Sequence, residues 1–153
     1  MQKLWRNVID MPPVWLLVFM ALVWVQTRVF NPGGLDLPIV RAVGWLVVAL
    51  GIFLMGFSIA MFRRHKTSVI PRNRPDHMIT TGPFRFSRNP IYLADALVLL
   101  GFALLMGSAP GILSVAAFMA LIEFRFIRGE EAVLRDTRPE AFANYCKQTR
   151  RWF

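Results

Sequence analysis

Cysteine and histidine are nearly absent from this sequence: Cys146 stands alone, and the two histidines are His65 and His77. One thiol excludes an internal disulfide and any zinc site built on cysteines, and it suits a reducing compartment. The histidines lie in a basic stretch without a carboxylate cluster, so no metal site is expected. Acidic residues are also few, nine Asp+Glu against 18 Lys+Arg, and 18% of the 153 residues are charged. A soluble domain carries about 25% charged and about 45–50% apolar residues. Here the apolar share is 56%, gathered into long runs. A signal-peptide cleavage site, an internal repeat and a low-complexity tract are missing as well. Disordered, collagen-like and disulfide-stapled classes are therefore excluded, and the bilayer is expected to be the solvent for much of a single domain.

Four apolar runs are present: Pro13 to Phe30, Ile39 to Phe62, Ile91 to Met106 and Gly111 to Ile127. The second carries only Arg41 as a charge and is long enough to cross a core about 30 Å thick. The last two are shorter and hold one carboxylate each, Asp95 and Glu123. The uncharged connection Gly107-Ser-Ala-Pro-Gly111 joins them as an antiparallel hairpin. The expected fold is an all-α membrane bundle of about four transmembrane helices. Its single domain, 1–153, divides into two N-terminal spans (1–62), a basic loop (63–90), the helical hairpin (91–127) and a tail (128–153). A short amphipathic tail helix is expected from Arg138 to Gln148.

Charge position sets the orientation. Fourteen of the 18 basic residues fall in two segments, 63–88 and 125–151, each following apolar sequence. This is the positive-inside pattern rather than a nucleic-acid patch, so no nucleic-acid partner is expected. With four spans, both basic segments and both termini face the cytoplasm, and the 63–90 loop is long enough to suggest function. Gly44, Gly51, Gly56 and Gly101 read as ordinary close helix packing.

Chemistry concentrates in His77-Met-Ile-Thr-Thr-Gly-Pro-Phe-Arg-Phe-Ser-Arg-Asn-Pro-Ile-Tyr92. Thr81-Gly82-Pro83 predicts a turn, and Asn89-Pro90 predicts a helix start with Asn as N-cap and Pro in the first position. A helix N-terminus beside Arg88 suits a carboxylate or phosphate. Arg88 and Tyr92 equally suit an interfacial anchor, and the residues alone leave both roles open. Glu130-Glu131, beside Arg125 and Arg128, suits either an ion-pair cluster or a cationic ligand. Asp95 bears the cost of an intramembrane carboxylate and should face the bundle interior or a wet cavity, with an Arg of the basic loop as partner.

The string Thr81-Gly-Pro-Phe-Arg-Phe-Ser-Arg-Asn-Pro-Ile-Tyr92, followed by Glu130-Glu131-x-x-Leu134 and the ending Tyr145-x-x-x-x-Arg150-Arg151-Trp152, resembles one family. It is the integral-membrane methyltransferases related to isoprenylcysteine carboxyl methyltransferase and phospholipid N-methyltransferase. The similarity covers residues 72–153. It implies S-adenosyl-L-methionine as methyl donor, bound at the cytosolic end of the last two helices. By that resemblance the cofactor-binding residues are His77, Met78, Ile79, Gly82, Phe84, Arg88, Asn89, Pro90, Tyr92 and Glu130, with Asp76 beginning the cofactor loop. Where prenylcysteine enzymes have His, this chain has Asn89. Where they place an arginine for the substrate carboxylate, it has Phe126, flanked by Arg125 and Arg128 as stand-ins.

No catalytic group is singled out among Tyr92, Asp95, Glu131, Arg125 and Arg128; the first three are candidate proton acceptors. The expected partners are the lipid bilayer and a lipophilic or small methyl acceptor, in a multi-pass protein of a bacterial inner membrane. Two rival readings are a membrane reductase using a nicotinamide cofactor and a non-enzymatic protein whose basic loops bind anionic lipid.

Overall fold

The computed structural model describes residues 11–29, 35–64 and 78–153. His77, Asp76, His65 and most of the expected basic loop lie outside them. Among the described residues every regular element is helical. Helices α1 (Pro12–Val29) and α2 (Pro38–Arg64) take up the first two apolar runs, α3 (Pro90–Leu105) the third and α4 (Ala109–Ile122) the fourth. A π turn, Glu123–Ile127, then carries the chain without a break into α5 (Arg128–Thr137), and α6 (Pro139–Gln148) follows.

Helices α1, α2, α3 and α6 each begin on a proline, whose missing N–H costs nothing at a helix start. The α3–α4 hairpin turns at Gly107, φ +63°, a left-handed conformation that favours glycine. Ser108 caps α4 by accepting a hydrogen bond from the Gly111 N–H at 3.1 Å.

Small residues let α2 and α3 touch at the backbone. A Cβ placed on Gly101 would sit 2.7 Å from the Gly44 carbonyl oxygen, and one on Gly51 would sit 3.0 Å from the Ala94 carbonyl oxygen. The opposite face of α3 supplies Tyr92, Ala96, Leu99 and Ala103, spaced at four, three and four residues. These pack with Val23 of α1, Phe118 and Ile122 of α4, and Phe126 and Ile127 of the π turn. Phe19 of α1 closes edge-on against Phe118, ring centroids 5.4 Å apart.

Outward, α2 exposes Trp45, Leu46, Leu50, Ile52, Phe53 and Phe57. Such a continuous apolar surface belongs in hydrocarbon rather than water. Among the described residues, three helical stretches are long and apolar enough to cross a membrane: Pro12–Val29, Pro38–Arg64 and Ala109–Thr137. The chain is an integral membrane protein. Helix α3, with 16 residues, is about 24 Å long at 1.5 Å per residue and lies alongside its longer neighbours.

The hairpin's second helix does not stop at Ile127, as the hydropathy suggests, but runs on to Thr137. The charges from Arg125 onward end the apolar run without interrupting the helical hydrogen bonds. Glu130 and Glu131 therefore project from the same rigid rod that packs on α3.

The Gly101 contact sets a testable requirement. Gly101→Ala should destabilise the bundle by about 1–3 kcal/mol, because the added methyl meets the Val48 side chain and also the Gly44 carbonyl and Val48 nitrogen, backbone atoms that cannot turn aside. Gly56→Ala should be neutral, since nothing lies within 4 Å of its Cβ position. Thermal midpoints in detergent check both, with a drop of several degrees expected for Gly101→Ala alone.

Candidate active site

The turn before α3 is built as the sequence predicts. Gly82 adopts φ +62°, which allows a short 3-10 turn over Gly82–Arg85. The Phe84 N–H bonds the Thr81 carbonyl at 3.3 Å, and the Phe86 and Ser87 N–H groups share the Pro83 carbonyl at 3.2 Å. Phe84 is buried and meets Phe62 of α2 edge-on, 5.4 Å between centroids. Ile79 is buried just upstream, and Met78 is half-buried.

The tail is tied onto this turn. The Tyr145 hydroxyl donates to the Phe84 carbonyl at 2.5 Å, and the Thr149 hydroxyl donates to the Arg85 carbonyl at 3.2 Å. Burial pushes the Tyr145 phenol well above its ordinary pKa, so the hydroxyl stays a donor.

Asn89 precedes α3 but does not cap it. Its backbone, at φ −129° and ψ 58°, leaves the side chain without a capping bond. The Asn89 Nδ2 donates instead to the Arg151 carbonyl at 3.0 Å, joined there by the Ser87 hydroxyl at 3.2 Å. The Arg88 N–H bonds the Arg150 carbonyl at 3.0 Å. The tail's own carbonyls thus compete successfully for donors that sequence reasoning assigns to the helix start, and residues 149–151 lie across it.

Charge then locks the assembly. Glu131, 6% exposed, accepts from Arg151 Nε at 3.1 Å on Oε1 and from Arg151 Nη2 at 2.6 Å on Oε2. Arg88 Nη2 stands 3.0 Å from the same Oε1. Arg151 Nη1 reaches Glu123 Oε1 at 2.7 Å, and the Trp152 indole N–H donates to Glu123 Oε2 at 3.2 Å. Hydrogen bonding to Glu131 holds the Arg151 guanidinium above its usual range despite its lost hydration, helped by the charges of Glu131 and Glu123. Arg88 Nε is buried and has no hydrogen-bond partner among the described residues.

Glu130 has a different environment from its neighbour. It is half-buried and accepts a 2.6 Å hydrogen bond from the Tyr92 hydroxyl. Tyr92 is 7% exposed, with its ring 6.4 Å from that of Phe126. Asp95, one turn along α3, is 2% exposed.

The structure therefore gathers Ile79, Gly82, Phe84, Arg88, Asn89, Pro90, Tyr92, Glu130 and Glu131 at one end of the bundle. Arg125 and Arg128 are exposed, with Arg128 lying 3.9 Å over the Phe124 ring and 3.4 Å from Glu123. Sequence reasoning missed Glu123 as a partner of the tail. The signal was present, since a carboxylate inside an apolar run requires a cation or donor.

If the Glu131–Arg151 pair holds the tail, Arg151→Ala should cost about 3 kcal/mol, the low end for breaking a buried pair because Arg151 is partly exposed. The tail should also become accessible to protease. Arg150→Ala, with its side chain exposed, should change stability by less than about 0.5 kcal/mol. Limited proteolysis with thermal unfolding checks both.

Among known proteins, the family described as phospholipid methyltransferase matches residues 39–137. The cobalt-zinc-cadmium resistance protein CzcN of Cupriavidus metallidurans is 29% identical over 109 residues, covering 71% of this chain. The chain spans about half of that curated relative, 49% of its length. No solved structure matches. The matched region runs from the start of α2 to the end of α5 and includes Tyr92, Glu130 and Glu131. This chain belongs to the phospholipid methyltransferase family.

Proposed function

We propose that the protein uses S-adenosyl-L-methionine to methylate a lipophilic or small acceptor at the membrane–cytosol boundary. The observation that carries this is the pairing of Tyr92 with Glu130 at 2.6 Å, next to a separately neutralised Glu131. Glu130, positioned by the Tyr92 hydroxyl, is the carboxylate suited to the cofactor's ammonium group. Arg88 Nε, a buried donor without a partner among the described residues, suits the cofactor's carboxylate. Ile79 and Phe84 supply apolar walls for its adenine. When bound, this cofactor supplies a methyl carbon made electrophilic by the adjoining sulfonium.

The chain's own contribution is placement. Holding acceptor and donor in line and excluding water accounts for much of a methyl transfer, because effective concentration replaces random encounter. The tail, drawn across the start of α3 by Arg151, is the element that excludes water. The concentration of basic residues in 63–88 and 125–151 of the sequence supports a cytoplasmic orientation for the site, in a bacterial inner membrane, by the positive-inside rule. Phe126, which is buried where prenylcysteine enzymes place an arginine, offers no cation to a substrate carboxylate.

Calorimetric titration of the detergent-purified protein with S-adenosylhomocysteine tests the reading. Saturable binding is expected, at least tenfold weaker in Glu130→Gln and about fivefold weaker in Tyr92→Phe, which loses one hydrogen bond of about 1 kcal/mol. Binding of a reduced nicotinamide dinucleotide instead, unaffected by Glu130→Gln, would favour the reductase.

A further inference from the structure

Two features lie outside the ion-pair network. Asp95 is 2% exposed and pairs with no described residue. The arginine partner expected from sequence is not among them, since Arg88 turns to Glu131 instead. The second feature is an apolar groove at the other end of α3, with a volume of about 520 Å³. Met20 of α1 forms one wall and Arg41 and Trp45 of α2 the other, while Val98, Phe102 and Met106 line the floor. Helices α1 and α2 both pack on α3 and scarcely on each other, so the groove is the gap between them.

Val98, Phe102 and Met106 recur every four residues and so share one face of α3. They span about 12 Å at 1.5 Å per residue, a little under half of a hydrocarbon core about 30 Å thick. The groove therefore has the depth of one leaflet. Its outer end is polar: Arg41, in the first turn of α2, pairs with Asp36 at 2.7 Å. A Cβ on Gly107 would stand 3.5 Å from the Asp36 backbone nitrogen, which sets the pair beside the hairpin turn. Trp45, 66% exposed, lies one turn deeper along α2, as suits an indole at a membrane interface. From Met106 back to Tyr92, α3 covers about 21 Å, so this outer end is remote from Glu130.

We propose that the groove holds one acyl chain of a zwitterionic phospholipid from the leaflet at the hairpin-turn end, with Arg41 on its phosphate and Asp36 on its ammonium group. Hydrocarbon fills such a gap because empty space forfeits the dispersion contacts of its lining. The ion pair then selects the headgroup. An anionic head would meet the like charge of Asp36, and an uncharged diglyceride would engage neither charge. A zwitterion offers each member of the pair its opposite. The two side chains are 59% and 72% exposed, and a guanidinium has five N–H donors, so capacity remains beyond the bond between them. An exposed pair contributes little by itself, and the lipid has no strong contact to displace. Bound there, the lipid bridges α1 and α2 as a structural component, away from the reacting end.

Native mass spectrometry of the full chain released from detergent tests this, with dioleoyl phosphatidylcholine, phosphatidylglycerol and diacylglycerol as probes. Phosphatidylcholine has no N–H left to methylate, so its retention does not report an acceptor. One saturable phosphatidylcholine adduct is expected, favoured over either other lipid by about fivefold. Arg41→Gln should weaken it by a similar factor, and Asp36→Asn should shift the preference to phosphatidylglycerol. Met20→Trp, which fills the groove from α1, should remove the adduct. Adducts that accumulate without saturation, equal retention of all three lipids, or unchanged phosphatidylcholine binding in Arg41→Gln would overturn the proposal. So would a dimer of the chain that excludes lipid. If Met20→Trp does not fold, the exposed Arg41 and Asp36 variants decide.

Discussion

A buried carboxylate at the edge of a membrane bundle holds this structure's working end together. Glu131 has both oxygens engaged by guanidinium groups, Arg151 at 2.6 and 3.1 Å and Arg88 at 3.0 Å. Removing a carboxylate from water costs several kcal/mol unless opposite charge and donors replace the hydration. The two arginines come from places far apart in sequence, the turn before α3 and the tail. Satisfying Glu131 therefore forces the tail, α5 and the start of α3 into one arrangement. The carbonyls of Arg150 and Arg151 then take the donors of Arg88, Ser87 and Asn89.

That arrangement divides labour between adjacent glutamates. Consecutive residues on a helix point about 100° apart, so Glu131 turns toward the tail while Glu130 turns toward Tyr92. One carboxylate is consumed as a brace; the other accepts from the Tyr92 hydroxyl. The π turn at Glu123–Ile127 is well placed to set this register, because its extra residue rotates everything that follows. Such turns occur often at functional sites. It also brings Glu123 to Arg151 and Trp152, adding a second anchor for the tail. Farther down α3, the Gly44–Gly101 approach fixes α2 against it.

Much of this was legible in the residues. The four apolar runs mark the helices to within two residues at most ends, because hydrophobic length and proline starts are local signals. Gly82 and Pro90 announce their turn and helix start for the same reason. The tail helix begins at Pro139 rather than Arg138. What could not be read locally was competition between distant groups. Asn89 has the right chemistry for an N-cap, yet its amide bonds a carbonyl 62 residues away. Hydropathy ends the fourth run near Ile127, but helical hydrogen bonding ignores side-chain polarity and continues to Thr137. The motif order pointed to Tyr92 and Glu130 together, whereas the role of Arg151 as their neighbour's partner depends on the folded tail.

The central claim is that a methyl-donor pocket lies between the start of α3 and α5, closed by the tail. Hydrogen–deuterium exchange with and without S-adenosylhomocysteine tests it most directly. Ligand addition should slow exchange in peptides covering 78–93 and 128–152 and leave α1 and the outer part of α2 unchanged. Protection confined to other helices, or no change at a saturating ligand concentration, would contradict it.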